Sequence, residues 1–159
     1  MSRRYIILEE QYQWLYGCIR EKIKISGIYI KDIKILANIS SYAMETIWEA
    51  RERSVNLGIL ASICDILYMM DDFYRFLNKY CEKIGCSKLS NRSKVMVTKI
   101  LIYQCRYQIK VQDIVAMYDI AVKPTQLREY VHYRREIPVS VVRAIIKGYQ
   151  EAYHDKETV

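Results

Sequence analysis

Glycine and proline are scarce, at five and two in 159 residues. A turn-rich all-β chain needs more of both, so their scarcity excludes that class and points to helices joined by short connections. No run approaches the roughly 18 apolar residues that cross a bilayer. The N-terminus begins with Arg3 and Arg4, but its apolar stretch stops at Glu9 and Glu10. That is short of the roughly 7–15 apolar residues of a secretory signal, and a cytoplasmic location is expected. Only His132 and His154 are available to join a metal site, and none of Cys18, Cys64, Cys81, Cys86 and Cys105 forms a CxxC pair. Reduced thiols in or near a core are the reading, with no metal expected. The glycine-rich phosphate loop, G-x-S-x-G and H-E-x-x-H are all missing. Asp71 and Asp72 are adjacent carboxylates, but neighbours on a helix diverge by about 100° and read as a solvated helix end. No catalytic residue, cofactor or small-molecule substrate is therefore expected.

What is present is globular. Hydrophobic residues make up 52% and charged residues 27%, enough apolar material for a core. Helical periodicity dominates: Ile7, Leu8, Tyr12, Leu15, Tyr16, Cys18, Ile19 and Ile23 recur at three- and four-residue steps, and Gly27 is the expected stop. A polar stretch at 83–94 interrupts the pattern near mid-chain and reads as a linker, with Ser90-Asn91 offering an N-cap. The expected division is 1–82, the linker 83–94, a second domain 95–153 and a tail 154–159.

The two halves look alike. Shifted by 81 positions, Asp32, Ile33, Leu36, Asn38 and Ile39 superpose on Asp113, Ile114, Met117, Asp119 and Ile120. Each segment reads as a short helix that begins at a polar cap and ends at Asn or Asp, residues that tolerate the left-handed conformation of a tight turn. A second helix follows each turn. Met44, Ile47 and Trp48 are expected on the apolar face of the first. Leu127, Tyr130 and Val131 are expected on that of the second, with Pro124 at its start. A basic loop then leads to a further apolar helix: Arg51-Glu52-Arg53 before 57–68, and Arg134-Arg135-Glu136-Ile137-Pro138 before 139–149.

This succession resembles the helix-turn-helix domains of the lambda-repressor/Cro (XRE) type, in two degenerate tandem copies covering roughly residues 11–80 and 95–153. Ile39-Ser40 followed by Met44 and Ile47 is similar to the family's turn and core positions. Arg134-Arg135-Glu136-Ile137-Pro138 resembles its basic loop and proline. Asn38, Asp119, Ala50 and Tyr133 depart from it by standing where the family usually has glycine. The resemblance implies an all-α fold of tandem helix-turn-helix bundles and a duplex-DNA partner.

The formal charge of +7 is unevenly placed. Residues 1–91 carry 13 basic and 11 acidic side chains, net +2, whereas residues 92–153 carry 11 and 5, net +6. Acidic residues are unfavourable where a helix approaches phosphates, so the second copy is the better DNA reader. Gln126 and Arg128 have the chemistry for bidentate contacts to adenine and guanine. Thr125 shares their helix start, and Lys123, Arg134 and Arg135 flank it and suit phosphates. In the first copy Ser41, Tyr42, Glu45 and Thr46 occupy the corresponding face, with Arg51 and Arg53 beyond them. Tyr42 reads equally as an interface residue, and the others as ordinary solvated surface.

The fifteen tyrosines read mainly as core-edge residues. Stacking platforms built on Tyr103 and Tyr107 beside Arg106, or on Tyr130 and Tyr133 beside Arg134, are the alternative. Trp14 and Trp48 read as core or interface anchors. The expected function is sequence-specific duplex-DNA binding by a regulator of phage or bacterial type, as a homodimer, chiefly through the second copy. The rival is a protein-interaction adaptor on helix-turn-helix scaffolds that no longer read DNA.

Overall fold

The computed structural model describes residues 3–49 and 54–157, which are all-α. Two compact units divide the chain, Met1–Ser87 and Lys88–Val159. The first contains α1 (Arg3–Ser26), α2 (Ile30–Ala37), α3 (Ser41–Trp48), α4 (Leu57–Ile66) and α5 (Met70–Lys83). The second contains α6 (Asn91–Tyr107), α7 (Val111–Met117), α8 (Pro124–Val131) and α9 (Val139–Glu157).

The expected linker shrinks at both ends. Lys83 still belongs to α5, and Asn91 already opens α6. Ser90 is the reason: its Oγ accepts from the Ser93 amide at 3.1 Å, starting α6 four residues before the expected second domain. Ser93 and Lys94 are buried, so they belong to that unit's interior. At the other end α9 continues to Glu157, so most of the expected tail 154–159 is helical. Asp71 and Asp72 fall in the first turn of α5, where the helix dipole favours carboxylates.

The internal repeat is visible in the turns. Asn38 and Asp119 are left-handed, with φ of 56° and 50°. After α2, Asn38 N–H donates to Ile35 O and Ile39 N–H to Lys34 O. After α7, Asp119 N–H donates to Ala116 O and Ile120 N–H to Val115 O. This is the same Schellman-type closure, displaced by 81 positions. Gly27 and Gln108, closing α1 and α6, form a second left-handed pair at that spacing, with φ of 68° and 54°. The units differ afterwards. Tyr68, at φ 56° and 93% exposed, separates α4 from α5, whereas α9 is one continuous helix.

In the first unit Leu15, Tyr16 and Ile19 of α1 are buried with Ile33, Ile47, Leu60, Ile63, Phe73 and Phe76. Burying each large apolar side chain contributes roughly 1.5–3 kcal/mol. Tyr16 is more than core filling, because its hydroxyl accepts from the buried Val55 amide at 2.9 Å and ties the segment before α4 to α1. In the second unit Ser93 does the equivalent, its Oγ accepting from Ile137 N–H at 3.0 Å. Both hydroxyls satisfy an amide that would otherwise be buried without a partner, a loss of roughly 1–3 kcal/mol.

Four tyrosines fasten α6 to α9. Tyr103 stacks on Tyr149 with centroids 5.8 Å apart, and Tyr107 on Tyr153 at 4.4 Å. Tyr149 is buried and donates its hydroxyl to Ile109 O at 2.7 Å. These rings spend faces on one another, which is the packing role expected of most tyrosines. Gly148, beside them on α9, sets the approach of α7: a Cβ there would lie 2.7 Å from Ile114 Cγ2 and 3.0 Å from Tyr118 Cδ2.

All five cysteines are free thiols. Burial pushes the Cys18 and Cys64 thiols above the ordinary range, the opposite of what a thiolate nucleophile needs. Among the described residues no helix is long and apolar enough to cross a membrane.

Candidate nucleic-acid interface

The second unit presents α8 by its polar face. Leu127 and Tyr130 are buried beneath it, whereas Lys123, Thr125 and Arg128 are exposed. Pro124 occupies the first helical position, where a missing N–H costs nothing. Gln126 is only half-exposed, and its Oε1 accepts from Lys123 N–H at 3.4 Å, capping the helix start. Part of its hydrogen-bonding capacity therefore serves the fold.

The basic loop that follows is held at both ends. Before it stands Tyr133, left-handed at φ 60° and fully buried. The Thr98 hydroxyl lies 2.8 Å from the Tyr133 hydroxyl and donates its one proton to Lys94 O at 2.6 Å. Tyr133 must therefore be the donor to Thr98. After the loop stand Glu136 and the fully buried Ile137. The Glu136 carboxylate accepts from the Ser93 hydroxyl, the Ser90 amide and the Ser90 hydroxyl. It thus covers the N-terminal end of α6, where exposed amides favour a negative charge. Arg134 and Arg135, both exposed, are strung between these two anchors.

Two ion pairs modify the charge. Arg135 lies 3.8 Å from Glu129, and Arg92 lies 3.6 Å from Glu136. All four side chains are about half exposed, so each pair is worth at most about 1 kcal/mol and can yield to a competing anion. Arg92 is the residue that sequence reasoning missed. It entered only as a unit of charge, because its neighbourhood with Glu136 spans 44 positions.

Hydrogen bonding, led by the Ser93 hydroxyl and then the Ser90 amide and hydroxyl, holds the Glu136 carboxyl below the usual carboxylate range. The stability this confers is present above the ordinary carboxylate pKa and is lost as pH falls through the lowered value. Glu136→Gln should lower the stability of the second unit by about 1 kcal/mol at neutral pH, a figure reduced for the exposure of the carboxylate. Thermal melts across the acid range should show wild type and variant converging as pH drops. A constant difference between them would mean that the charge contributes nothing.

The first unit places its candidates differently. Ser41 and Tyr42 are exposed, and Lys34 Nζ donates to Ser41 Oγ at 3.1 Å. Thr46 departs from its expected place: it is 1% exposed, and its hydroxyl donates to Tyr42 O at 2.9 Å. The buried face of α3 comprises Ala43, Met44, Thr46 and Ile47, while Trp48 is 39% exposed. The face is therefore turned by about one residue from the expected Met44, Ile47 and Trp48. α3 packs against both α1 and α2, which widens the buried stripe toward Thr46. Arg51, Arg53 and Ala50 lie outside the described residues. On the neighbouring α2, Ile35 is 67% and Leu36 58% exposed, and Met117 of α7, the counterpart of Leu36, is likewise 60% exposed.

Comparison of the chain with family models, curated proteins and solved structures gave no match.

Proposed function

We propose that the chain is a sequence-specific duplex-DNA-binding protein, a transcriptional regulator of phage or bacterial type that acts as a homodimer in the cytoplasm. It reads DNA chiefly through α8. The observation that carries this reading is the basic loop anchored at both ends directly after an exposed polar helix. Phosphate contacts are most useful when their donors are already ordered, because little side-chain or loop entropy is then lost on binding. Arg134 and Arg135 satisfy that condition for the loop backbone, with Arg92 beside them at the start of α6. Thr125, Arg128 and the free part of the Gln126 amide are the candidates for base edges. Bound at an operator, such a protein acts by occlusion or recruitment.

The test is a titration of fluorescent duplex DNA at a series of salt concentrations. Affinity should fall as salt rises, and Arg134→Ala with Arg135→Ala should reduce the log–log slope by about 2. An affinity indifferent to salt, or a slope unchanged in the double variant, would overturn the reading.

A second reading, a protein-interaction adaptor, is favoured for the first unit by Glu45 on the recognition-position helix α3 and Glu49 at its end, carboxylates that phosphates would repel. Gln126→Ala with Arg128→Ala separates the two. A DNA reader loses sequence discrimination, whereas an adaptor keeps its partner.

A further inference from the structure

At the C-terminal end of α5 we infer that Cys81 and Cys86 form a reversible thiol–disulfide pair, a modification site whose co-reactant is a hydroperoxide. The inference goes beyond DNA binding and needs nothing from it.

α5 ends in a Schellman closure. Cys86 N–H donates to Cys81 O at 2.7 Å, and Gly85 N–H to Glu82 O at 3.3 Å. Gly85 permits the turn at φ 83°, where a residue with a Cβ would be strained. In this motif the two residues of the outer hydrogen bond, here Cys81 and Cys86, also bring their side chains together. Covalent lengths across that 2.7 Å bond keep the two α-carbons less than about 7 Å apart. A disulfide can span such a pair without moving the backbone.

The same amide-to-carbonyl step closes other helices on unlike pairs. Ile39 bonds Lys34 after α2, Met69 bonds Cys64 after α4, and Ile120 bonds Val115 after α7. Among the described residues, only the closure of α5 sets one thiol beside another.

Burial divides the roles. Cys81 is fully buried, whereas Cys86 is half-buried and within reach of a small oxidant. The Cys86 sulfur therefore meets the hydroperoxide first. It takes one oxygen and becomes a sulfenic acid, while the O–O bond breaks and the other oxygen leaves as hydroxide, which takes up the thiol proton. The Cys81 sulfur then attacks the Cys86 sulfur. The S–S bond forms, the S–O bond breaks, and hydroxide departs with the Cys81 proton as water. Two thiols and one hydrogen peroxide thus give one disulfide and two waters. Two molecules of a small thiol restore the pair and leave as their own disulfide. In the cytoplasm proposed above, the pair stands as the dithiol until an oxidant arrives. Closing it staples the last turn of α5 beside Ser87, where the first unit ends.

Peptide mapping of the full chain tests the site. Hydrogen peroxide is added, remaining thiols are alkylated, and the chain is unfolded and digested with trypsin. Cleavage after Lys79, Lys83 and Lys88 puts the two cysteines on separate peptides, 80–83 and 84–88. A disulfide keeps those peptides joined until dithiothreitol is added. The joined species should be the main oxidation product, with Cys64 and Cys105 still alkylated. Cys86→Ser, at a half-buried position, should abolish it while circular dichroism stays unchanged. Titration against glutathione should give an effective thiol concentration about tenfold or more higher in the native chain than in urea, because the closure is lost on unfolding. Cys86 joined mainly to any other cysteine overturns the inference. So does Cys86 oxidised to sulfinic acid while Cys81 remains alkylable, or a native effective concentration no higher than that in urea.

Discussion

Replacing Tyr133 by alanine should destabilise the second unit by about 3–5 kcal/mol, the range for removing a large buried aromatic side chain. The residue stands at φ 60°, where a non-glycine side chain costs roughly 1–2 kcal/mol. Glycine would relieve that strain at once, yet the chain retains tyrosine. The balance is explained by what the ring does: it is fully buried, and its hydroxyl donates to Thr98. Filling the core outweighs the strain by a factor of about two. Tyr133→Gly should therefore still destabilise, by roughly 1–2 kcal/mol less than alanine. Tyr133→Phe, which loses only the hydrogen bond, should cost about 1–2 kcal/mol. Urea unfolding followed by circular dichroism, with hydrogen exchange of the α6 and α9 amides, measures all three. A glycine variant as stable as wild type would mean that the ring anchors nothing. Since Arg134 and Arg135 follow directly, the alanine variant should also bind duplex DNA more weakly at temperatures where it remains folded.

The anchoring of this loop was not legible in the sequence, although the loop itself was. Asn38 and Asp119 announced their turns because those residue types tolerate the left-handed region, and both turns stand where expected. Gln108 adopts the same conformation without any such signal and becomes apparent only through its alignment with Gly27. Glu136 illustrates a different limit. In a charge count it cancels an arginine, whereas in the fold its hydrogen bonds to Ser90 and Ser93 reach across more than forty positions. Net charge is a sum and carries no information about partners. Thr46 fails for a third reason. Its helix has eight residues, about two turns, and four of them are buried. On so short an element a rotation of one residue separates an exposed hydroxyl from a buried one, and the periodicity of two or three apolar positions cannot fix that rotation. The all-α class and the repeated order of helices needed only patterns within each element. The site needed contacts between elements.

α9 meets α7 at Gly148, and enlarging that residue should have the second large effect. Alanine gains about 1 kcal/mol of helix propensity over glycine. Against this, its Cβ would stand 2.7 Å from Ile114 Cγ2 and 3.0 Å from Tyr118 Cδ2. Ile114 cannot step aside: it is fully buried, and a β-branched side chain in a helix has essentially one χ1 rotamer. The clash must be relieved by moving α7 away from α9, at a cost of about 1–3 kcal/mol for one added carbon. Gly148→Ala should therefore be net destabilising by up to about 2 kcal/mol, and Gly148→Val by about 3 kcal/mol or more. The displacement has a direction. α7 leads through the left-handed Asp119 into the segment that sets Lys123 and the start of α8. Moving α7 thus moves α8 relative to the loop anchored on α6. On the proposed function, the phosphate donors of the loop and the base-edge candidates of α8 would no longer share one fixed spacing. Gly148→Ala should consequently lose discrimination between a selected duplex and a random one before it loses salt-dependent binding as such. Equal loss of both, in a variant whose melting temperature shows it folded, would mean that α7 does not position α8.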